Sequence, residues 1–186
     1  MTIAANPYDI NASAKNAFKD PFAWFFAEHY RHRLVCHRLL EYADSDILDI
    51  EGTKDVLTFL QTDFPLHILD EEADLFPMLL RRCTPEDNLE RTIDLLTCDH
   101  HAESETVKAL IGALEVALNG RTGLGLVFQA SDVVEAFCAP RRRHIALENA
   151  VVLPIARLRL TKADKRKLGR RLAARRGLSD PFKKTS

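Results

Sequence analysis

Apolar residues recur every three to four positions through most of this chain, the spacing of helices that bury one face. Asp20-Pro21 reads as a helix start: Asp accepts backbone N–H bonds as a cap, and Pro fits the first turn. Phe22, Phe25, His29, Cys36 and Leu39 or Leu40 then share a stripe that runs to about Ala43. The polar stretch from Asp44 to Thr53 is read as a loop. A second helix is predicted from about Thr53 to Arg82, with Val56, Leu60, Phe64, His67, Glu71 and Leu75 or Met78 in line. Pro65 and Pro77 fall inside it and predict a kink or step. Thr84-Pro85 followed by Glu86 and Asp87 starts a third helix, whose stripe is Leu89, Ile93, Leu96, His100, Glu103, Val107, Leu110 and Leu114. Asn119-Gly120 ends it. A fourth helix covers about Leu126 to Arg159, interrupted near Pro140, with Val127, Val134, Phe137, His144, Glu148, Val151 and Ile155 aligned. Thr161 caps a last short helix to about Arg176, stopped by Gly177 and Pro181.

Four long amphipathic helices with short loops predict an all-α fold, an antiparallel up-down-up-down four-helix bundle. Residues 1–19 read as a flexible leader, 20–160 as the bundle, and 161–186 as a short basic C-terminal helix and tail. A chain of 186 residues is long enough to bury one sizeable core. No apolar run approaches the length of a transmembrane helix. The start of the chain lacks the basic and apolar segments of a signal peptide. Cys36, Cys83, Cys98 and Cys138 form no Cys-x-x-Cys pair, so free thiols in a cytoplasmic protein are expected. The net charge of −1 hides an asymmetry. Residues 157–186 carry twelve Lys and Arg against Asp164 and Asp180, a net +10, so residues 1–156 carry −11. The tail could meet nucleic acid or an anionic membrane. With no aromatic residue for stacking before Phe182, the favoured reading is a solvated helix that docks on the acidic body of its own or another subunit.

The chemistry lies in a doubled pattern: His, three residues, Glu, five residues, Pro. One copy is His67, Glu71 and Pro77; the other is His144, Glu148 and Pro154. His and Glu four apart share one helix face. A further His precedes each copy, on the first and third predicted helices. On the first, His29 continues the Phe22–Phe25 stripe and is preferred over His32; His37 falls to the solvated side. On the third, His100 extends Leu89, Ile93 and Leu96 and is preferred over His101. Four imidazoles and two carboxylates make a donor set for two iron-type ions. Glu28, Asp70, Glu72, Asp99 and Glu103 adjoin these positions; most read as solvated helix-face charges, with one or two orienting a ligand imidazole. Cys36 and Cys98 read as buried inert thiols rather than redox partners. No acid stands three residues before any His, which excludes the Glu-x-x-His pairs of ferritin-like bundles, and no His-Glu-x-x-His or Gly-rich phosphate loop is present.

The segments FFAEHYRHRLVCHRL, PLHILDEEADLFPMLLRR, LLTCDHHAES and RRRHIALENAVVLPIARLRLT resemble hemerythrin-like HHE cation-binding proteins, over roughly Pro21 to Leu160. The resemblance implies a non-heme di-iron centre, two Fe ions with oxo or carboxylate bridges, Zn or another divalent ion being an alternative in purified protein. His29, His67, His100 and His144 would then match the family's nitrogen ligands, and Glu71 and Glu148 its bridging carboxylates. Oxygen carriers of the family have a further His and a bridging Asp where this chain has Ser104 and Asn149. The chain therefore resembles the bacterial branch with four His and two Glu, linked to oxygen, nitric oxide or redox response and to iron–sulfur repair. Two functions are implied: a module that binds or senses O2 or NO at open iron positions, or a di-iron redox enzyme acting on NO or peroxide with an electron donor unknown. Iron storage or delivery is a third reading, and a homo-oligomer fits any of them.

Overall fold

The computed structural model describes residues 17–183, so most of the expected leader, residues 1–16, lies outside the described residues. Its last residues are anchored: Phe18 is fully buried, its ring 4.3 Å from that of Trp24. The described residues form an all-α bundle without strands. Helix α1 is Pro21–Ala43, α2 covers residues 50–80, α3 is Leu89–Gly120, α4 covers residues 130–159, and α5 is Lys162–Arg175. None is long and apolar enough to cross a membrane.

Local chemistry sets most of the boundaries. Asp20 accepts the backbone N–H groups of Phe22 and Ala23 at 3.0 and 3.1 Å and starts α1. Helix α2 begins three residues earlier than its apolar stripe predicts, because Asp49 caps it by accepting the Gly52 N–H at 3.0 Å. Thr84-Pro85 starts only a short 3-10 turn, Pro85–Asp87, in which Asp87 returns a bond to the Thr84 N–H at 2.9 Å. Asn88 then takes a left-handed conformation and redirects the chain into α3. Likewise Leu124–Leu126 is a 3-10 turn, and α4 starts only after Gln129, also left-handed. Thr161 and Asp164 form a reciprocal capping box at the start of α5. Gly177 ends that helix at a φ of 70, with Leu178 N–H bonded to Ala173 O and Gly177 N–H to Ala174 O. That pair of bonds is the helix stop that a glycine makes without strain.

Helices α2 and α4 contain three π turns: Phe59–Asp63, Glu71–Leu75 and Glu148–Val152. After each, an N–H reaches back five residues: Phe64 to Phe59, Phe76 to Glu71, Leu153 to Glu148. The next residue is in every case a proline: Pro65, Pro77 or Pro154. In α geometry a proline ring meets the carbonyl four residues back and supplies no N–H. A wider turn moves that carbonyl aside, so the helix continues instead of breaking. The doubled His-x3-Glu-x5-Pro pattern is thus a helix whose π turn begins at its glutamate. Pro140 behaves differently. The α-helix Ala130–Leu147 passes through it, and the predicted interruption falls at Glu148 instead.

The core consists of two apolar clusters with a polar layer between them. One gathers Phe18, Phe22, Phe25, Leu75, Leu79, Leu96 and Leu153; the other gathers Val35, Leu39, Leu60, Phe64, Leu110 and Phe137. Helix α1 leaves the first cluster for the second, α2 returns, α3 goes out again and α4 comes back. Each of these four helices therefore crosses the middle layer once, at residues 28–32, 67–74, 100–103 and 141–148.

Helix α5 docks on the body of its own chain. Leu168, Leu172 and Ala173 join the first cluster. Gly169 lies so close to the Phe18 carbonyl that no side chain fits there. Leu172→Ala should cost about 2–5 kcal/mol of unfolding free energy, as for other fully buried leucines. Lys167→Ala, on the exposed side of the same helix, should change it by less than about 0.5 kcal/mol. Urea denaturation of the two variants measures both; equal, small effects would mean that α5 does not dock in solution.

Candidate metal centre

The middle layer brings together the six residues that the doubled pattern and the lone histidines single out. His29 comes from α1, His67 and Glu71 from α2, His100 from α3, and His144 and Glu148 from α4. None is more than 4% exposed. Glu71 lies at the middle. Its Oε1 is 3.1 Å from His67 Nε2 and 3.6 Å from His29 Nε2; its Oε2 is 3.3 Å from His100 Nε2. Glu148 Oε2 stands 3.3 Å from His29 Nε2 and 3.5 Å from His144 Nε2. The Nε2 atoms of His100 and His144 are 3.0 Å apart.

Two donor groups result. His29, His67, Glu71 and Glu148 offer donor atoms that all lie within 4.8 Å of one another, and Glu71, His100 and His144 do the same. Glu71 belongs to both.

Hydrogen bonds from the far side of the rings aim three of the imidazoles. His29 Nδ1–H donates to Asn149 Oδ1 at 2.7 Å, His100 Nδ1–H to Glu72 Oε1 at 2.8 Å, and His144 Nδ1–H to Asp99 Oδ2 at 3.3 Å. Carboxylate and amide oxygens only accept, so the proton sits on Nδ1 and the Nε2 lone pair faces the centre. Such outer contacts fix the ring and its tautomer. Asn149, a poor bridge by its chemistry, serves here as an outer partner. Of the acids beside the candidate ligands, Glu72 and Asp99 take this role. Asp70 turns the other way, fully buried beneath the tail. It pairs with Arg175 and, at 2.7 Å, with Arg176, while Asp74 pairs with Arg171 and, at 2.7 Å, with Arg175. Burial still holds the Asp70 carboxyl above its ordinary range, against the pull of these arginines.

The remaining candidates are placed as follows. His101 is exposed and donates from Nδ1 to Thr97 O at 2.8 Å, outside the centre. His37 is exposed beside Glu41 at 3.4 Å. His32 is buried next to His67, ring centroids 4.4 Å apart, but is not among the six. Burial, together with nearby His67 and Arg141, pushes its pKa far down, so it is neutral. Cys36 is buried beside Cys138, whose thiol faces the Cys36 carbonyl at 3.5 Å. Cys98 is exposed, against the expectation of a buried thiol, because it sits on the outer face of α3.

One residue escaped the sequence reading. Arg141 is fully buried, paired with Glu103, with its guanidinium 4.7 Å over the Phe64 ring. In the run Arg141-Arg142-Arg143 it looks solvated. Its position three residues before His144, on the same helix face, was the available signal.

The electrostatics suit a cation. Burial alone would raise the Glu71 pKa, but His67, His100 and His29 around it hold it well below the carboxylate range. Burial opposes protonation of His29, yet Glu148 and Glu71 outweigh it and raise its pKa; Glu71 does the same for His100. Six buried atoms at the centre have no hydrogen-bond partner: His29 Nε2, His67 Nε2 and both oxygens of Glu71 and of Glu148. Buried polar groups left without partners are strongly unfavourable. Bound metal would supply their missing partners, and the imidazole and carboxylate donors suit Fe, Zn or Mn.

The family model for hemerythrin, the hemerythrin HHE cation-binding domain, matches residues 20–156. No curated protein matches the chain. With most of its length inside that match, the chain belongs to the hemerythrin HHE cation-binding family, and it is a metal-ion-binding protein.

The pKa shifts set the pH behaviour of the metal-free protein. His29 and His100 have raised values, so their contribution to stability is present below the ordinary histidine value of about 6.5 and is lost as pH rises through the folded values. Glu71 is depressed, so its contribution is present above its ordinary value of about 4.3 and is lost only as pH falls through the folded value. The chelator-treated protein should therefore lose melting temperature as pH rises from about 6 to about 9. The metal-loaded protein should not, because metal replaces the protons. Parallel melting curves across that range check this.

Proposed function

We propose that this chain holds two iron ions side by side, bridged by Glu71 and Glu148, and uses them to bind or sense O2 or NO. One observation carries the reading. The two oxygens of Glu71 face different histidines, Oε1 toward His29 and His67, Oε2 toward His100. A carboxylate with imidazoles on both sides is the arrangement of a bridge, and a single ion would leave one side unserved. The ligand assignment is then His29 and His67 for one ion, His100 and His144 for the other, with Glu71 and Glu148 between.

Each ion would have two imidazoles and an oxygen from each carboxylate. That is fewer donors than an octahedral ion takes, so positions stay open to a small ligand. When bound, the iron pair supplies reversible redox and ligand-binding chemistry. The chain's own residues supply the rest. Asn149, Glu72 and Asp99 hold three imidazoles in position. The two apolar clusters exclude water from either side of the layer. A centre no more than 4% exposed at any of the six residues favours a diatomic ligand over a bulky substrate. A cytoplasmic setting goes with the reading, since all four cysteines are free thiols.

Metal analysis after anaerobic reconstitution should give two ions per chain. His67→Ala and His144→Ala should each lower that number and remove most of the metal-dependent rise in melting temperature. That rise corresponds to about 2.7 kcal/mol at a hundredfold excess of metal over its dissociation constant. Stopped-flow spectra with O2 or NO should show a stable adduct. Binding of one ion or none defeats the di-iron assignment; sustained turnover with a reductant defeats the sensing role in favour of an enzyme.

A further inference from the structure

Three of the four histidines at the centre have a partner for the ring nitrogen that faces away from it: Asn149, Glu72 and Asp99. The fourth, His67, does not. Its Nδ1 is buried with no hydrogen bond. Beside it lies His32, 1% exposed, and neither of its ring nitrogens has a hydrogen bond either. The two rings are in contact, centroids 4.4 Å apart and planes at 61°. One donor atom each from Glu28, His32 and His67 lies within 4.8 Å of the others. Glu28 and His32 are four apart on α1 and share a helix face. Glu28, 2% exposed, is itself held by Arg31 at 3.3 Å.

We propose that His32 is the outer partner of His67: His67 Nδ1–H donates to one ring nitrogen of His32, and the N–H of His32 donates to Glu28. A neutral imidazole has one acceptor and one donor, so His32 can close both links at once. The chain Glu28–His32–His67 gives the fourth histidine what Asn149, Glu72 and Asp99 give the other three. It satisfies all three orphaned nitrogens in a single arrangement. The ring is already confined by Phe59 and Phe64, with centroids 4.9 and 5.7 Å away. His32 is a positioning residue in this account. It sets the tautomer and aim of His67 and is not a ligand itself.

The inference rests on the two-ion reading above, and the test separates the two. Full-length wild type, His32→Phe and His32→Gln are titrated with ferrous iron and then examined as 57Fe Mössbauer samples. His32→Phe keeps a ring against Phe59 and Phe64 but removes both nitrogens. It should weaken one of the two binding steps by about 10–100-fold, the usual effect of losing an outer partner. It should also shift the signal of one iron and leave the other in place. His32→Gln, which can still accept and donate, should restore most of the affinity. If His32→Phe binds both ions as wild type does, with both signals unchanged, the proposal is wrong. If both steps weaken equally, His32 only supports packing and the proposal is also wrong. Wild type that fails to bind two ions overturns the underlying reading and this inference with it. A wild-type measurement covers the case of a misfolded variant. In the zinc-loaded protein, the 15N-resolved proton spectrum should contain an exchange-protected His67 Nδ1–H with cross-peaks to the His32 ring. A rapidly exchanging proton there contradicts the link.

Discussion

Two carboxylates and four imidazoles meet at the middle of this bundle, and six of their atoms have no hydrogen-bond partner within the protein. Ionisable groups are not buried in that state without compensation. Everything else in the fold is arranged around that requirement. The apolar clusters above and below the layer hold the four helices in register, so that each delivers its polar residues at the same height. The helices that deliver a glutamate as well as a histidine change pitch at that glutamate, because a proline follows one residue after each π turn. Prolines that would break an ordinary helix here shape the segments that carry His67, Glu71, His144 and Glu148.

Much of this was legible in the sequence, for a physical reason. A helix that buries one face must repeat its apolar residues at helical spacing. A histidine on that stripe is therefore inward-facing whatever its partners. This criterion selected His29 and His100 for the layer, and the structure brings both to it while leaving His101 exposed. It was passed over where the residue on the buried face is charged and looks solvated. Arg141 is hidden in a run of three arginines, and its burial depends on Glu103 and Phe64, which lie on other helices. Asp70 and Asp74 look like solvated charges until α5 is placed over them. The π turns were foreshadowed only as kinks, since a proline shows that the ladder must change but not how.

The basic tail is the part that local patterning describes least well. Its charge suggests docking on the acidic body of its own or another subunit without saying which, and three of its arginines are engaged with Asp70 and Asp74 of the same chain. Those acids flank Glu71, so the helix that carries Glu71 is braced from outside the layer by residues beyond the matched family domain. Arg82 and Arg159 extend the bracing through Asp164 and Asp87. The excess negative charge of the body and the excess positive charge of the tail cancel largely within one molecule.

The central claim is that Glu71 and Glu148 bridge a pair of ions. Anomalous diffraction from crystals of the iron-loaded protein tests it most directly. The account predicts two iron peaks about 3.5–4 Å apart, lying between Glu71 and Glu148, one beside His29 and His67 and the other beside His100 and His144. A single peak, or iron bound anywhere outside this layer, would contradict it.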